Sequence, residues 1–255
     1  MRDILVKTPR VWIFNGLPGD EENHEFDVTN LASLKISLTT RFSVPADRIT
    51  ILYGPRSEGY DGVCTGEALR AELAKIVAFS KQPDTAPVWI IFHGHANSIP
   101  GGAMFNIPGA DLTVREIDAA LEGAGTEAAP LVVIATTEAG AAFLKTLAGP
   151  HRFILSATSD QDKDNGTDFP QALAGALAAD ASDTNHDGVL TLTELFMATS
   201  AGVHRIYDAQ QFMLKEHAQL DGDGDGKGTQ RPAAADAKPA SAIGLKLDAG
   251  IRKFD

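Results

Sequence analysis

The chain predicts an α/β fold with a mostly parallel central sheet and helices on both faces, and three features carry that expectation. Apolar runs such as residues 88–92 (VWIIF) and 131–135 (LVVIA) show no alternation, as strands buried on both faces do. These runs take turns with segments of helical apolar spacing, and the order strand, helix, strand, helix, strand implies right-handed crossovers in one sheet. With 255 residues and 44% hydrophobic content the chain can bury a sizeable core, and α/β folds of this length are commonly one domain.

In chain order, residues 11–14 (VWIF) read as a first strand running into Asn15, Gly16, Leu17, Pro18 and Gly19, and the polar stretch 20–25 continues that loop. Leu31, Leu34, Ile36, Leu38 and Phe42 recur at roughly helical spacing over 29–42, with Pro45 closing the segment. Residues 48–53 (RITILY) supply the second strand, and 54–66 is a glycine-rich loop. Leu69, Leu73, Ile76, Val77 and Phe79, set among strong helix formers, predict a helix over 67–81.

The third strand, VWIIF, ends directly in His93, Gly94 and His95, and Met104 and Phe105 suggest a short hairpin arm after it. Titratable groups at the carboxyl edge of such a sheet stand where open α/β proteins place their binding crevice. Thr113 and Glu116 form a capping box, followed by the apolar stripe Ile117, Ala120 and Leu121. Strand 131–135 then ends in Thr136, Thr137, Glu138, Ala139 and Gly140, and helix 141–147 leads to strand 153–157 (FILSA) and a polar loop. Helices follow over 169–179 and 192–214, with an acidic loop between them. Beyond Leu220 the composition shifts to Asp, Gly, Ala and Pro, so 1–227 is the expected domain and 228–255 a weakly packed tail.

A net charge of -12, from 34 acidic and 22 basic residues, argues against a nucleic-acid partner or an anionic membrane surface and suits cations better. No run approaches the roughly 18 apolar residues of a membrane span, and MRDILVKTPR lacks the apolar core of a secretory signal. The chain therefore reads as soluble, of the bacterial cytoplasm or of an exported protein whose leader has been removed. The single cysteine, Cys64, excludes an internal disulfide.

The sharpest local pattern is the twelve-residue loop 183–194. Asp183, Asn185 and Asp187 offer side-chain oxygens at positions 1, 3 and 5, and Gly188 permits the turn. Val189 offers a carbonyl, Thr191 can bind through water, and Glu194 can close the site with both oxygens, which together is the EF-hand calcium pattern. An acidic N-cap to the following helix would explain some of the aspartates but not the full spacing. A second run over 221–226 repeats Asp221, Asp223 and Asp225, but its twelfth residue is Pro232, so the closing ligand must come from elsewhere. Structural Ca²⁺ is the expected cofactor. The pair His93 and His95 alone names no metal, because a third ligand is needed, for which Glu138 is a candidate.

The strand ends VWIIFHGHA and LVVIATTEAG together resemble those of the caspase-like cysteine peptidases, and within them the legumain-like group of asparaginyl endopeptidases and GPI transamidases. In that family one buried strand ends in a His-Gly pair carrying the catalytic histidine. The next ends in Ala-Cys followed by Glu or Gln and a small residue. His95 falls at the histidine position with Ala96 where the family has glycine, and Thr137 falls at the nucleophile position with Glu138 after it. FILSATSDQD resembles the family's next strand and loop, so the resemblance spans about residues 11–177 and implies a caspase-like three-layer sandwich.

The departure at Thr137 bears on function. A thiol, with an unperturbed pKa of about 8.5, is partly ionised beside an imidazole, whereas a threonine hydroxyl is a far weaker acid. Threonine peptidases use the nucleophile's own free α-amine, and Thr137 is internal. Cys64 lies in a remote loop, and a β-carbon at Ala96 limits the backbone freedom of an oxyanion site there. The expectation is a pseudo-peptidase that binds a peptide or protein partner in the sheet-end crevice. The alternatives are a hydrolase using Thr137 with His95 as base, and a calcium-stabilised structural protein.

Overall fold

The computed structural model describes residues 7–56, 58–82, 85–162 and 166–248. Eleven strands and seven α-helices follow in order: β1 (Arg10–Asn15), α1 (Glu21–Ile36), β2 (Ile49–Tyr53), α2 (Gly66–Ser80), β3 (Val88–His93), β4 (Ala96–Ile99), β5 (Gly102–Phe105), β6 (Leu112–Thr113), α3 (Val114–Ala120), β7 (Leu131–Ala135) and α4 (Gly140–Leu147), all among the described residues. The chain continues through β8 (Arg152–Ser156), α5 (Phe169–Ala178), β9 (Val189–Thr191), α6 (Leu192–Gln210), β10 (Gln219–Asp221), α7 (Ala234–Ala240) and β11 (Gly244–Lys246).

The main sheet has the order β10-β8-β7-β3-β1-β2, parallel throughout except for β10, which runs antiparallel to β8. Its apolar runs are unbroken because both faces are covered. Val11, Ile13, Trp89, Ile91, Val132 and Ile134 point into a core shared with α1, α5 and α6, while Trp12, Phe14, Ile90, Phe92 and Val133 point into one shared with α2, α3 and α4. Alternate residues of one strand thus serve opposite layers, giving the three-layer α/β sandwich that the strand order predicts.

Three boundaries differ from the sequence-based expectation. Helix α1 begins at Glu21, inside the stretch read as loop, because Asp20 accepts the Asn23 N–H as N-cap and Glu21 and Glu22 sit in the first turn, where the helix dipole favours carboxylates. Helix α6 stops at Gln210, since Gln211 adopts the left-handed conformation (φ 56°) that ends helices. The stretch 228–248 is not a weakly packed tail: α7 places Ala240 in the core, and β11 pairs antiparallel with β9, burying Ile243 and Leu245. Few apolar residues suffice there because the backbone itself is paired. Residues 249–255 of the predicted tail lie outside the described residues. Strand β10 was also absent from the expectation, its three residues being too few to show a pattern.

Candidate functional site

The strand ends of β1, β3 and β7 meet at one edge of the sheet, and the register sets what faces what. Asn15 pairs with His93 across β1 and β3, and Phe92 with Ala135 across β3 and β7, so Thr136 follows alongside His93. Helix α1 contributes the buried Asp27. The Asn15 amide donates to Asp27 Oδ2 at 2.9 Å, and His93 Nε2 lies 3.1 Å from Asp27 Oδ1 without hydrogen-bond alignment. Because Thr136 Oγ1 donates its own proton to the Phe92 carbonyl at 3.1 Å, it must accept from His93 Nδ1 at 2.9 Å, which sets that nitrogen as protonated. Burial raises the Asp27 carboxyl, but His93 and the Asn15 amide outweigh it and hold the group below its usual range.

His95 stands one residue past a glycine that turns the chain through φ 91°, and it has different partners. Its Nδ1 donates to Glu138 Oε1 at 2.5 Å and its Nε2 to the Pro18 carbonyl at 2.8 Å. With both nitrogens facing acceptors, the ring is an imidazolium, and the Glu138 hydrogen bond raises its pKa from 6.5 to about 9 against the opposing effect of burial. Glu138 Oε2 accepts the Ala96 N–H at 3.2 Å, so the amide placed by the sequence at an oxyanion position is already engaged. Thr137 is 1% exposed, and its hydroxyl has no hydrogen-bond partner among the described residues. The structure therefore brings His95, Ala96 and Glu138 into one hydrogen-bonded group and leaves the Thr137 hydroxyl out of it.

Beside this group opens a cleft of about 260 Å³ lined by Pro18, Asp27, His93, His95, Glu138 and Asp168 among others. Behind Asp168 lies Glu216, 3% exposed, whose carboxylate accepts the Asp168 N–H at 3.0 and 3.1 Å. Burial, with Asp168 close by, raises its pKa from 4.5 to about 8. His217 next to it pairs with Asp162 at 2.6 Å. Asp27, Asp168 and Glu216 were not foreseen from the sequence. Asp27 fell in a stretch with no strong apolar period, and Glu216 meets the helix end it caps from 48 residues farther along the chain.

In the loop 183–194, Gly188 has φ 84° and its N–H donates to Asp183 Oδ2 at 2.9 Å, which draws the first residue's carboxylate across the loop. Asp183 is 5% exposed, and its Oδ1 has no hydrogen-bond partner among the described residues. Asn185 Oδ1 accepts the Asp187 N–H and Asp187 Oδ1 that of Val189, while Glu194 accepts from Thr184 and from the Thr191 N–H and hydroxyl, completing a capping box for α6. Burial opposes ionisation of Glu194, but these donors hold its pKa below the usual value.

In the second loop, Asp221 is fully buried and accepts the N–H groups of Gly224 and Gly226. Asp225 pairs with Lys227 at 2.9 Å. Asp236, from the first turn of α7, accepts the Gly222 N–H at 3.1 Å, and Asp221, Asp223 and Asp236 each offer an oxygen within 4.8 Å of the others. They form the only group of three His, Cys, Asp or Glu ligand atoms so placed among the described residues, and neither His93 nor His95 belongs to it.

No family model matches the chain, and no curated protein matches it. Among solved structures, the crystal structure of the Drosophila initiator caspase Dronc is similar, with a TM-score of 0.52 and 17% sequence identity over 89% of this chain and 84% of that chain. At that identity the likeness is one of fold: the chain has a caspase-like α/β fold. No helix among the described residues is long and apolar enough to cross a membrane.

Proposed function

We propose that the chain is a caspase-like pseudo-peptidase of legumain-like type, a module that holds a peptide or protein partner in the sheet-end cleft and does not cut it, with structural Ca²⁺ in its acidic loops. The observation that carries this reading is the state of His95. An imidazolium with its two nitrogens donating to Glu138 and to the Pro18 carbonyl has no lone pair with which to take a proton from a hydroxyl. A hydroxyl at the nucleophile position needs such a base far more than a thiol would, and the Thr137 hydroxyl is buried without a partner among the described residues.

The calcium part is supported by the loop 183–194, where the spacing of oxygen donors coincides with a buried carboxylate oxygen, Asp183 Oδ1, that no group among the described residues satisfies. In the second loop Asp236 stands where the sequence left a ligand missing.

Incubation of the purified protein with a broad peptide-fluorophore library, with and without Ca²⁺, is expected to give no turnover. Hydrolysis abolished by both Thr137→Ala and His95→Ala would overturn the proposal in favour of an active hydrolase. Activity gained by Thr137→Cys alone would sharpen it, since only the sulfur would then be missing.

A further inference from the structure

We propose that the sheet-end cleft takes a cationic side chain, that of a lysine or arginine in an extended peptide, with Asp168 as its carboxylate anchor. The inference rests on the reading of the cleft as a binding site and names the chemistry of the occupant. Four carboxylates line the cleft: Glu22, Asp27, Glu138 and Asp168. Two face an imidazole of the chain itself, Glu138 that of His95 at 2.5 Å and Asp27 that of His93 at 3.1 Å. Glu22, exposed in the first turn of α1, and Asp168, half-buried at the start of α5, face no such group among the described residues, and no lysine or arginine is among the described residues that line the cleft.

Asp168 is held in this condition by its neighbours. An aspartate at a helix N-cap ordinarily accepts an N–H from the first turn and lowers its own energy by doing so. Here Asp168 adopts a helical backbone (φ -89°, ψ -3°) and its side chain makes no such bond. Glu216 has taken over the helix end, accepting the Asp168 N–H with both oxygens. The displaced carboxylate lines the cleft without a hydrogen bond or ion pair from the described residues, with a second buried carboxylate behind it. Its pKa is raised by burial, as expected of a carboxylate lacking a counter-charge.

A metal ion would supply charge but needs at least three convergent ligands, and among the described residues the imidazole and carboxylate atoms lining the cleft do not converge as the carboxylates of Asp221, Asp223 and Asp236 do. The cleft instead combines its carboxylates with the apolar walls of Phe26 and Pro170, which suit the alkyl stem of a long cationic side chain. Its volume of about 260 Å³ lies below the roughly 300–1,000 Å³ of clefts that take whole small ligands, and it matches a single side chain better.

The test uses five peptide amides carrying a neutral fluorophore and differing only in a central Arg, Lys, Gln, Asn or Glu, with binding to the full chain read by fluorescence polarisation near pH 7. The Arg and Lys peptides are expected to bind about tenfold tighter than those with Gln or Asn, a difference of about 1.4 kcal/mol. Glu should bind weakest, and added salt should shrink the preference. Asp168→Asn should remove most of the preference without lowering the melting temperature, because Glu216 keeps the helix capped. Equal binding of the Arg and Gln peptides, or a preference that survives Asp168→Asn, overturns the cationic assignment and leaves the binding-module reading standing. Failure of every peptide to bind overturns both.

Discussion

The sheet-end cleft and the C-terminal acidic loops both concentrate carboxylates, yet they satisfy them in different ways. At the strand ends, Asp27 and Glu138 face imidazoles from the same chain. In the loops, Asp183 and Asp221 are held by backbone N–H groups of their own loop, and Asp183 Oδ1 has no partner among the described residues. A carboxylate with a side-chain counter-charge keeps its geometry unaided. Several carboxylates gathered on a loop repel one another, and a cation that binds only the folded chain relieves that repulsion and stabilises the fold. The difference teaches that acidity alone does not mark a metal site: what matters is whether the chain supplies its own positive partner.

The largest expected effect probes the loops. At a hundredfold excess over its Kd, Ca²⁺ at one site contributes about 2.7 kcal/mol, which for a chain of this size is a rise in melting temperature of roughly 5–10 °C. Glu194→Gln should abolish most of that shift while keeping the capping box, which glutamine also forms. A calcium titration that leaves the melting temperature of the unmodified protein unmoved would break the contrast.

Glu216 sharpens it, because it lies behind the cleft yet has no counter-charge among the described residues. Its carboxyl titrates near 8 when folded and near 4.5 when free, so the folded state binds more protons between those values. Stability should therefore fall as pH rises from about 4.5 to about 8, with the full penalty above that. Glu216→Gln should be more stable than the unmodified protein at pH 8.5, by roughly 1–3 kcal/mol, and about equal to it near pH 4. Denaturant midpoints across this range check the sign, and a pH-independent difference would assign the effect to packing.

The smallest effect concerns His95. Its pKa is raised to about 9, chiefly by the Glu138 hydrogen bond, so its contribution is fully present below about 6.5 and lost as pH rises towards 9. The ring is partly exposed, which discounts the contribution to under about 1 kcal/mol. His95→Gln should flatten the stability profile between pH 6.5 and 9 and leave it unchanged above. An identical profile in both proteins would mean that Glu138 gains nothing from the imidazolium.

Much of the fold was legible in the chain, because the signals involved are local. The strand 131–135 was read to the residue, and the helices over 66–80, 140–147 and 169–178 to within one, since buried strands and amphipathic helices each carry their own period. The N-terminal part of α1 was not legible: its first turn is polar and its helicity rests on a cap and a dipole. The packing of 228–248 was hidden for a different reason, namely that β11 finds its partner β9 more than fifty residues earlier. At the site, His93, His95, Thr137 and Glu138 stood out because they end buried strands, whereas Asp27, Asp168 and Glu216 gain their roles only from what folding brings beside them.

By itself the amino-acid sequence determined the order of the layers, the edge of the sheet where titratable groups gather, the hydroxyl at position 137 and the spacing of oxygen donors over 183–194. Each of these depends on residues close together in the chain. Only the tertiary structure decided that His95 donates through both nitrogens, that Glu216 displaces Asp168 from its own helix end, and that Asp236 joins Asp221 and Asp223. Protonation state and unmet charge depend on contacts between distant segments, and no local pattern encodes them.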